Sequence, residues 1–509
     1  MQASQRTLTH RDCPSKLPWN NQAGQDEDML LDDSDDEDYL NVKTVTMTRD
    51  DVNTDEHLKA QFSKAATLWS DEDVRKLTKD VQEKGVDWWI KHYVIDKKHH
   101  PRELLLAFGL IFSRDMPEPD YDKTFKILKM TLMRIVRRRE RLTKYNTIQD
   151  VVDLLRNSKR IMVLSGAGIS VSSGIPDFRS KNGLYQMLKS AEGYDLDDPQ
   201  QMFDLEFFKG NPHVFYSFVR QIYPSNHEPS LAHHFIRLLE TKGKLLRNYT
   251  QNIDDLESSA GIQTVLQCHG SFAKATCLKC RHEYAGNFIE KDVLAQEVPY
   301  CKLCKDQNPK PKQQKRSSNV WRGGDDTETE DEDEVAKGVI KPNITFFGEK
   351  LTDDFDKFLR ADRNEVDLLI VMGTSLKVTP VSEILSHIPH SVPQILINKT
   401  PIKHMNADVE LIGNADSVIE FLCSEAALGR DWELPARSDR PQLKKRKSSP
   451  GASTVPRRVA DSHVWLFEGA EGGDYVKTIE TQSLTKAKTN SITSTKSFDG
   501  RQSKKIRAT

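Results

Sequence analysis

Apolar runs of strand length recur through the middle of the chain, and each ends in a glycine or a polar side chain. Ile161–Leu164 leads into Ser165, Gly166, Ala167 and Gly168, and Leu245–Tyr249 into Thr250, Gln251, Asn252, Ile253 and Asp254. Val265 and Leu266 precede Gln267, Cys268 and His269; Val366–Met372 precedes Gly373, Thr374 and Ser375; Ile395–Ile397 precedes Asn398. Helical spacing fills the intervals, as in Val151, Val152, Leu154 and Leu155 behind the capping signal Thr147-x-x-Asp150. Strands alternating with helices predict an α/β fold with a doubly wound parallel sheet over about 146–429. In such a sheet a ligand sits beyond the carboxyl ends of the strands, where these polar residues fall.

Outside that region the pattern changes. Residues 1–75 are polar, with an acidic run from Asp26 to Asp38, and read as a disordered region. Apolar residues at helical spacing in 76–145, among them Trp88, Trp89, Tyr93, Leu104, Phe125, Leu128 and Leu132, predict a small helical regulatory domain. It ends in Arg137, Arg138, Arg139, Glu140 and Arg141, which is either a solvated helix end or a docking or localisation patch. Residues 430–509 read as a disordered tail with a basic cluster at 444–447, a nuclear localisation signal or simply a basic tail. Within it 463–472 contains an apolar island, Val464, Trp465, Leu466 and Phe467, either a strand added to the sheet or a linear motif for another protein.

The chain has 509 residues, 29% of them charged, yet a formal net charge of only −2, because acidic and basic blocks cancel. Direct nucleic-acid binding is therefore not indicated. The mean hydropathy is negative, and no secretory leader or membrane-length apolar run stands out, so a soluble intracellular protein is expected. Four of the seven cysteines form Cys277-x2-Cys280 and Cys301-x2-Cys304, separated by twenty residues. That spacing predicts one structural Zn2+ held by four thiolates, with no open position for chemistry. The zinc-ribbon module is expected at about 273–340, with an inserted loop at about 306–337 that is basic first and acidic afterwards. By spacing, Cys13, Cys268 and Cys423 read as ordinary thiols.

Gly166-Ala167-Gly168 suggests a strand-to-helix turn that lets backbone N–H groups approach a pyrophosphate. Val171 stands where the usual dinucleotide fingerprint has its third glycine, which argues against a nicotinamide dehydrogenase. His269, just past a strand, has the side chain suited to a general base near neutrality. The run from Gly166 to Arg179, with Gln251-Asn252-Ile253-Asp254, Cys268-His269-Gly270-Ser271, the four cysteines, Pro342 to Glu349 and Gly373 to Val378, resembles the sirtuins over about 146–429. The helical region and charged flanks resemble the nuclear sirtuin-1 branch of that family. Departures are Ser173 where the branch often has Cys, Asp255 where Thr or Gly is usual, and Thr345 where an apolar residue usually lines the acyl-lysine channel.

The resemblance implies NAD-dependent removal of acetyl groups from lysine, with NAD consumed as co-substrate and nicotinamide and O-acetyl-ADP-ribose released. It implies His269 as base and Asn252 as the residue orienting ribose and water, with Asp254 accepting from the nicotinamide carboxamide. NAD contacts would come from Gly166, Ala167, Gly168, Ser170, Ile175, Asp177, Phe178, Arg179, Tyr185, Gln251, Asn252, Ile253 and Asp254. Gly373, Thr374, Ser375, Asn398, Lys399 and Cys423 would complete the nucleotide side, and Thr345, Phe347, Gly348, Glu349, Lys377 and Val378 would hold the peptide as an added strand. Acetylated histones and transcription factors are the expected substrates and chromatin-associated proteins the partners, with no membrane association. The expected compartment is the nucleus, with the cytoplasm also open.

Overall fold

The structure is a computed structural model, described here over residues 60, 63–65, 67–110, 120–177, 183–186, 198–223, 227–305, 334–349, 353–379, 381–424, 427–434 and 455–498. The acidic run 26–38, Cys13, Phe178, Arg179, insertion residues 306–333 and the basic cluster 444–447 lie outside the described residues. The chain divides into two compact units.

The first unit is helical and takes in Glu383–Ser391 and Lys403–Asn406 from later in the chain. Its helices Asp71–Lys84, Pro101–Ala107 and Tyr121–Arg137 close around Leu77, Val81, Trp89, Leu104, Leu128 and Leu132. The boundary expected near residue 75 falls inside the first helix. Ser70 and Asp73 form a reciprocal capping box, so the helix opens at Asp71, within what reads as polar tail. The basic run Arg137–Arg141 fits neither reading at Arg139, which is buried, donates to the Asn406 carbonyl at 2.8 Å and accepts from the Asn406 amide.

The second unit is built on an eight-stranded sheet. Its strands are β1 (Ile161–Ser165), β2 (Leu245–Thr250), β3 (Val265–Gln267), β7 (Leu368–Met372), β8 (Gln394–Asn398), β9 (Val409–Ile412), β10 (Arg457–Arg458) and β11 (Val464–Leu466). The order is β10-β11-β9-β8-β7-β1-β2-β3, with every neighbouring pair parallel except β10 and β11. All positions of β1, β7, β8 and β9 are buried, which is why β1, β7 and β8 read as largely continuous apolar runs rather than alternating ones, while β9 carries the buried Glu410. The helices Ile148–Asn157, Leu231–Thr241 and Ala415–Leu422 bring Val151, Phe235 and Val418 onto the sheet.

Beside the sheet lies a second core. Antiparallel β4 (Gly270–Cys277), β5 (Glu283–Ala285) and β6 (Ile340–Ile344) pack with the helices Leu205–Gly210 and Pro212–Val219. Phe203, Phe208, Phe215 and Phe346 meet there at centroid separations of 5.2 to 6.0 Å, mostly edge to face. The zinc-ribbon strands therefore share their core with helices some sixty residues upstream; these aromatics lie far apart in sequence, and their periodicity does not say which layer they join.

Residues 455–498 differ from the disordered tail expected over 430–509. β11 pairs with β9, Trp465 Nε1 donates to the Asn146 carbonyl at 3.1 Å, and Phe421 and Phe467 stack edge to face. Gly413 makes this seating possible, since a Cβ there would lie 2.7 Å from that of Phe467. The helix Gly473–Phe498 follows, and the Tyr475 hydroxyl donates to Glu410 at 2.9 Å. Val464 is fully buried opposite Glu410. Val464→Asp places an unpaired carboxylate beside another and should cost about 3 kcal/mol or more. Calorimetry is expected to show a melting temperature lowered by several degrees; an unchanged one would mean the strand does not contribute to the sheet.

Candidate active site

Register levels the strand ends. Ser165 is paired with Thr250 and with Met372, Thr250 with Gln267, and Met372 with Ile397. The ladder continues one residue further: Gln251 N–H donates to Ser165, Cys268 to Thr250, Gly166 to Met372 and Gly373 to Ile397, at 2.9 to 3.1 Å. Gly166, Gln251, Cys268, Gly373 and Asn398 thus open their loops at one height. β1 sits between β2, which continues one arm of the sheet, and β7, which begins the other, so the β1–β7 crevice is a topological switch point.

The glycines there serve close approach between two loops. Gly168 N–H donates to the Gly373 carbonyl at 2.7 Å, and a Cβ on Gly168 would lie 2.7 Å from Gly373 Cα and from its carbonyl oxygen. A Cβ on Gly166 would lie 2.7 Å from Thr374 Cβ, and Gly373 holds φ 64° with Ile169 N 2.5 Å from where its Cβ would be. The expected strand-to-helix turn is instead a pair of short 3-10 turns, Ala167–Ile169 and Val171–Ser173. The chain has to fold back against the Gly373 loop, which leaves no room for a straight helix.

Around this crossing the polar side chains connect. The Thr374 hydroxyl donates to Gln251 Oε1 at 2.6 Å. Asn252, buried, donates from Nδ2 to Ser170 Oγ at 3.1 Å, and the fully buried Ser170 also stands close enough to the Asp254 carboxylate to favour its anion. Ser170 therefore lies between the ribose-orienting residue expected at Asn252 and the carboxamide acceptor expected at Asp254. Asp254 also accepts from Leu256 N–H at 3.2 Å. Burial raises its carboxyl above the ordinary range, against Ser170 and the Leu256 hydrogen bond.

His269 follows β3. Its Nδ1 lies 3.0 Å from the Gln251 carbonyl oxygen, which can only accept, so Nδ1 carries the proton. Nε2 is then the lone-pair nitrogen, and it is buried without a hydrogen-bond partner. Burial pushes the imidazole below its ordinary value, the Gln251 bond opposing. The His269 carbonyl accepts from Thr345 N–H at 2.7 Å, which fastens His269 to the expected peptide edge. Gly270 permits that crossing: its φ is 71°, and a Cβ would lie 2.0 Å from the Asn343 carbonyl oxygen.

At that edge Phe347 is exposed while Phe346 fills the aromatic core. Gly348 turns the loop with φ 90°. Glu349 is held by Lys341 Nζ at 2.9 Å and by Phe346 N–H at 2.7 Å, so its carboxylate braces the loop. Lys341 is the residue the sequence reading missed; its signal is a lysine inside the apolar strand β6. Lys377 is exposed and Val378 half-buried across the opening that follows Leu376, itself buried at φ 50°.

Ile175, Asp177 and Tyr185 flank the segment containing Phe178 and Arg179; Ile175 is bound through its N–H to Ser170. Ala167 and Ile253 are half-buried beside the loops, and Ser375 is exposed. Asn398 donates to the Thr400 carbonyl at 2.8 Å. Lys399 is engaged by Glu471 of the C-terminal segment at 2.6 Å. Cys423 departs from its expected place. It caps the far end of the helix Ala415–Leu422, close to Lys242, which precedes β2 at the amino ends of the strands. That helix starts at the carboxyl ends and runs away from them, so Ala415, not Cys423, is its residue nearest the crevice.

Cys277, Cys280, Cys301 and Cys304 cluster with all four sulfurs within 4.8 Å of one another, and two of the pairs are 3.8 and 3.6 Å apart. Tetrahedral zinc–thiolate bonds of about 2.3 Å place sulfurs about 3.8 Å apart, whereas a disulfide needs about 2.05 Å, so the set fits Zn2+ and not a cross-link. Gly338, at φ 85°, passes with its Cβ direction 2.7 Å from Cys304 Cβ. β4 runs from Gly270 to Cys277, roughly 20 Å at strand rise, so the metal would brace the module rather than reach His269.

Residues 166–380 match the Sir2 family, and residues 118–165 match a protein of unknown function (DUF592). The NAD-dependent histone deacetylase sir2 of Schizosaccharomyces pombe is 39% identical over 402 residues, 77% of this chain and 82% of that protein. The chain belongs to the Sir2 family. Among other Sir2 relatives, the NAD-dependent histone deacetylase sirtuin-1 of Drosophila melanogaster is 45% identical over 64% of this chain and 38% of its own. The NAD-dependent protein deacetylase sir-2.1 of Caenorhabditis elegans is 47% identical over 56% of this chain and 42% of its own. The chain thus spans about two fifths of the length of these two relatives. A solved structure described as "Structural Basis for the Mechanism and Regulation of Sir2 Enzymes" aligns over 56% of this chain and 97% of its own, at 28% identity and TM-score 0.44.

Metal analysis of the purified protein should find one zinc per chain. Cys301→Ser should release it and lower the melting temperature well beyond the roughly 1 kcal/mol of an average substitution; a metal-free wild type with an unchanged melting curve would remove zinc from the fold.

Proposed function

We propose that this chain is an NAD-dependent protein-lysine deacetylase. The observation that carries the proposal is His269: a half-buried imidazole, its proton fixed on Nδ1 by the Gln251 carbonyl and its Nε2 buried and unpartnered, at the carboxyl ends of a nucleotide-type sheet. The buried, unpartnered Nε2 suits a ribose hydroxyl, and the levelled loops around the glycine crossing suit a dinucleotide. Bound NAD supplies an electrophilic ribose carbon on loss of nicotinamide. The chain's own residues orient and exclude. Asn252, which donates to Ser170, and Asp254 beside it position ribose and carboxamide; Gln251, held by Thr374, faces the ribose; His269 Nε2 takes the proton of the hydroxyl that captures the acyl carbon. With one water, acetyl-lysine and NAD give free lysine, nicotinamide and O-acetyl-ADP-ribose.

The substrate peptide lies between Phe347–Glu349 and Ser375–Val378 as an added strand, with main-chain pairing that demands little of its sequence. Thr345 lines the acyl channel. The names of the relatives support histones as substrates; the proposal extends this to a chromatin-silencing role in the nucleus, with transcription factors and chromatin-associated proteins as further partners and the cytoplasm as a second compartment. Among the described residues no helix is long and apolar enough to cross a membrane.

Mass spectrometry of an acetyl-lysine peptide incubated with and without NAD is the test. Loss of the acetyl group with stoichiometric O-acetyl-ADP-ribose is expected, with His269→Tyr at least about 100-fold slower. Label from NAD appearing on protein, or no cleavage of NAD, would overturn the proposal. The base works deprotonated and its pKa is depressed, so the acid limb of kcat/KM should fall below the unperturbed value of about 6.5. A limb above neutrality would place another group in that role.

A further inference from the structure

Behind Asp254 lies a group of ionisable side chains that the mechanism above does not use. His233 of the helix Leu231–Thr241 and Glu257 of the short helix Leu256–Ser259 are fully buried, and each offers a ligand atom within 4.8 Å of the other and of Asp254. Ser230 N–H donates to His233 Nδ1 at 3.2 Å, so the ring proton sits on Nε2. Nε2 has no hydrogen-bond partner, and neither has either carboxylate oxygen of Glu257. The Thr250 hydroxyl stands close enough to favour the anion of Glu257 without bonding it. The other titratable groups facing the trio are His227 and Asp255 toward Asp254, His234 toward His233, and Cys268 toward Glu257. None is a fixed cation that would stabilise two buried carboxylates.

Two unsatisfied carboxyl oxygens and an unsatisfied ring N–H buried close together are costly unless they satisfy one another. Two carboxylates this close do not both ionise. We propose that Glu257 is a positioning residue: held as a neutral acid within 4.8 Å of both His233 and Asp254, it turns its own proton toward Asp254, which is left as the single anion facing a carboxamide. The proton stays on Glu257 throughout, and no covalent bond changes. Burial first, and Asp254 second, hold the Glu257 carboxyl up at about 8, and burial holds His233 down at about 3, so at neutral pH both are uncharged. The carboxamide part rests on the function proposed above; the protonation part does not.

The test compares wild type with Glu257→Gln and Glu257→Ala. Infrared difference spectra at neutral pH should show a protonated carboxylic acid band in wild type that is missing from Glu257→Gln. Folding then binds a proton that the unfolded chain has lost. The stabilising effect is complete below the unfolded carboxyl value of about 4.3 and is lost as pH rises through the folded value. Wild type should therefore lose melting temperature relative to Glu257→Gln between about pH 4.5 and 8, and no further above that. Glu257→Ala should raise KM for NAD about tenfold, the loss of one charge-assisted hydrogen bond, and Glu257→Gln should restore it. An ionised Glu257 at neutral pH, parallel melting profiles, or a Gln variant no better than Ala would each overturn the proposal. So would a second metal per chain that disappears with Glu257→Gln, since His233, Asp254 and Glu257 would then be ligands. The infrared and melting readouts need no NAD. A chain with the acid band and no turnover keeps the trio and loses the proposed function; normal turnover with an ionised Glu257 does the reverse.

Discussion

Two loops pass each other at the β1–β7 switch point with a 2.7 Å hydrogen bond from Gly168 to Gly373 between them, and the arrangement of the pocket hangs on that crossing. Neither loop could move out by the radius of a methyl group without losing the bond, and neither glycine could carry a Cβ without forcing such a movement. Because the crossing is fixed, Thr374 is brought to Gln251 and Ser170 to Asn252 and Asp254. Local backbone geometry thus sets the distances between side chains that come from three separate strands.

The same economy governs His269. One backbone carbonyl, that of Gln251, selects the tautomer, and one backbone N–H, that of Thr345, anchors the residue from the other side. Both partners belong to the segments expected to hold ribose and acyl-lysine, so His269 is tied to both segments by main chain rather than by mobile side chains. Lys341 extends this to the peptide edge. A buried ammonium that satisfies Glu349 and the Ile344 carbonyl makes the Phe347–Glu349 loop a braced element, and leaves the exposed Phe347 ring as its free surface.

Stability and function are spatially divided along β4. Its first residues adjoin His269, and its last carries Cys277 into the thiolate cluster. A structural metal at the far end can fix the strand without entering the chemistry. At the opposite edge of the sheet β11 covers β9, and Glu471 takes up Lys399 near the end of β8. Residues far apart in the chain thus close both flanks of the nucleotide region.

The five apolar runs, their terminal polar residues and the paired Cys-x2-Cys spacing were legible without coordinates, because strand period, burial on both faces and tetrahedral thiolate binding each impose a local pattern. The parallel sheet and the clustering of Gly166, Gln251, Cys268, Gly373 and Asn398 at one height follow from those patterns. Other features depended on which distant segments meet. The short turns after β1 exist because the Gly373 loop blocks a helix, the placement of Cys423 follows from the direction of the helix Ala415–Leu422, and Phe203 to Phe215 join the zinc-ribbon core because complementary aromatic surfaces meet there. Ser70 and Asp73 cap a helix inside an otherwise polar stretch, where periodicity is too short to register. His233, Asp254 and Glu257 look like three unrelated residues in sequence; burial close together, where charge must be shared or removed, makes them a unit. Local pattern determined which residues form strands and ligands, and tertiary packing decided their protonation, their partners and their distances.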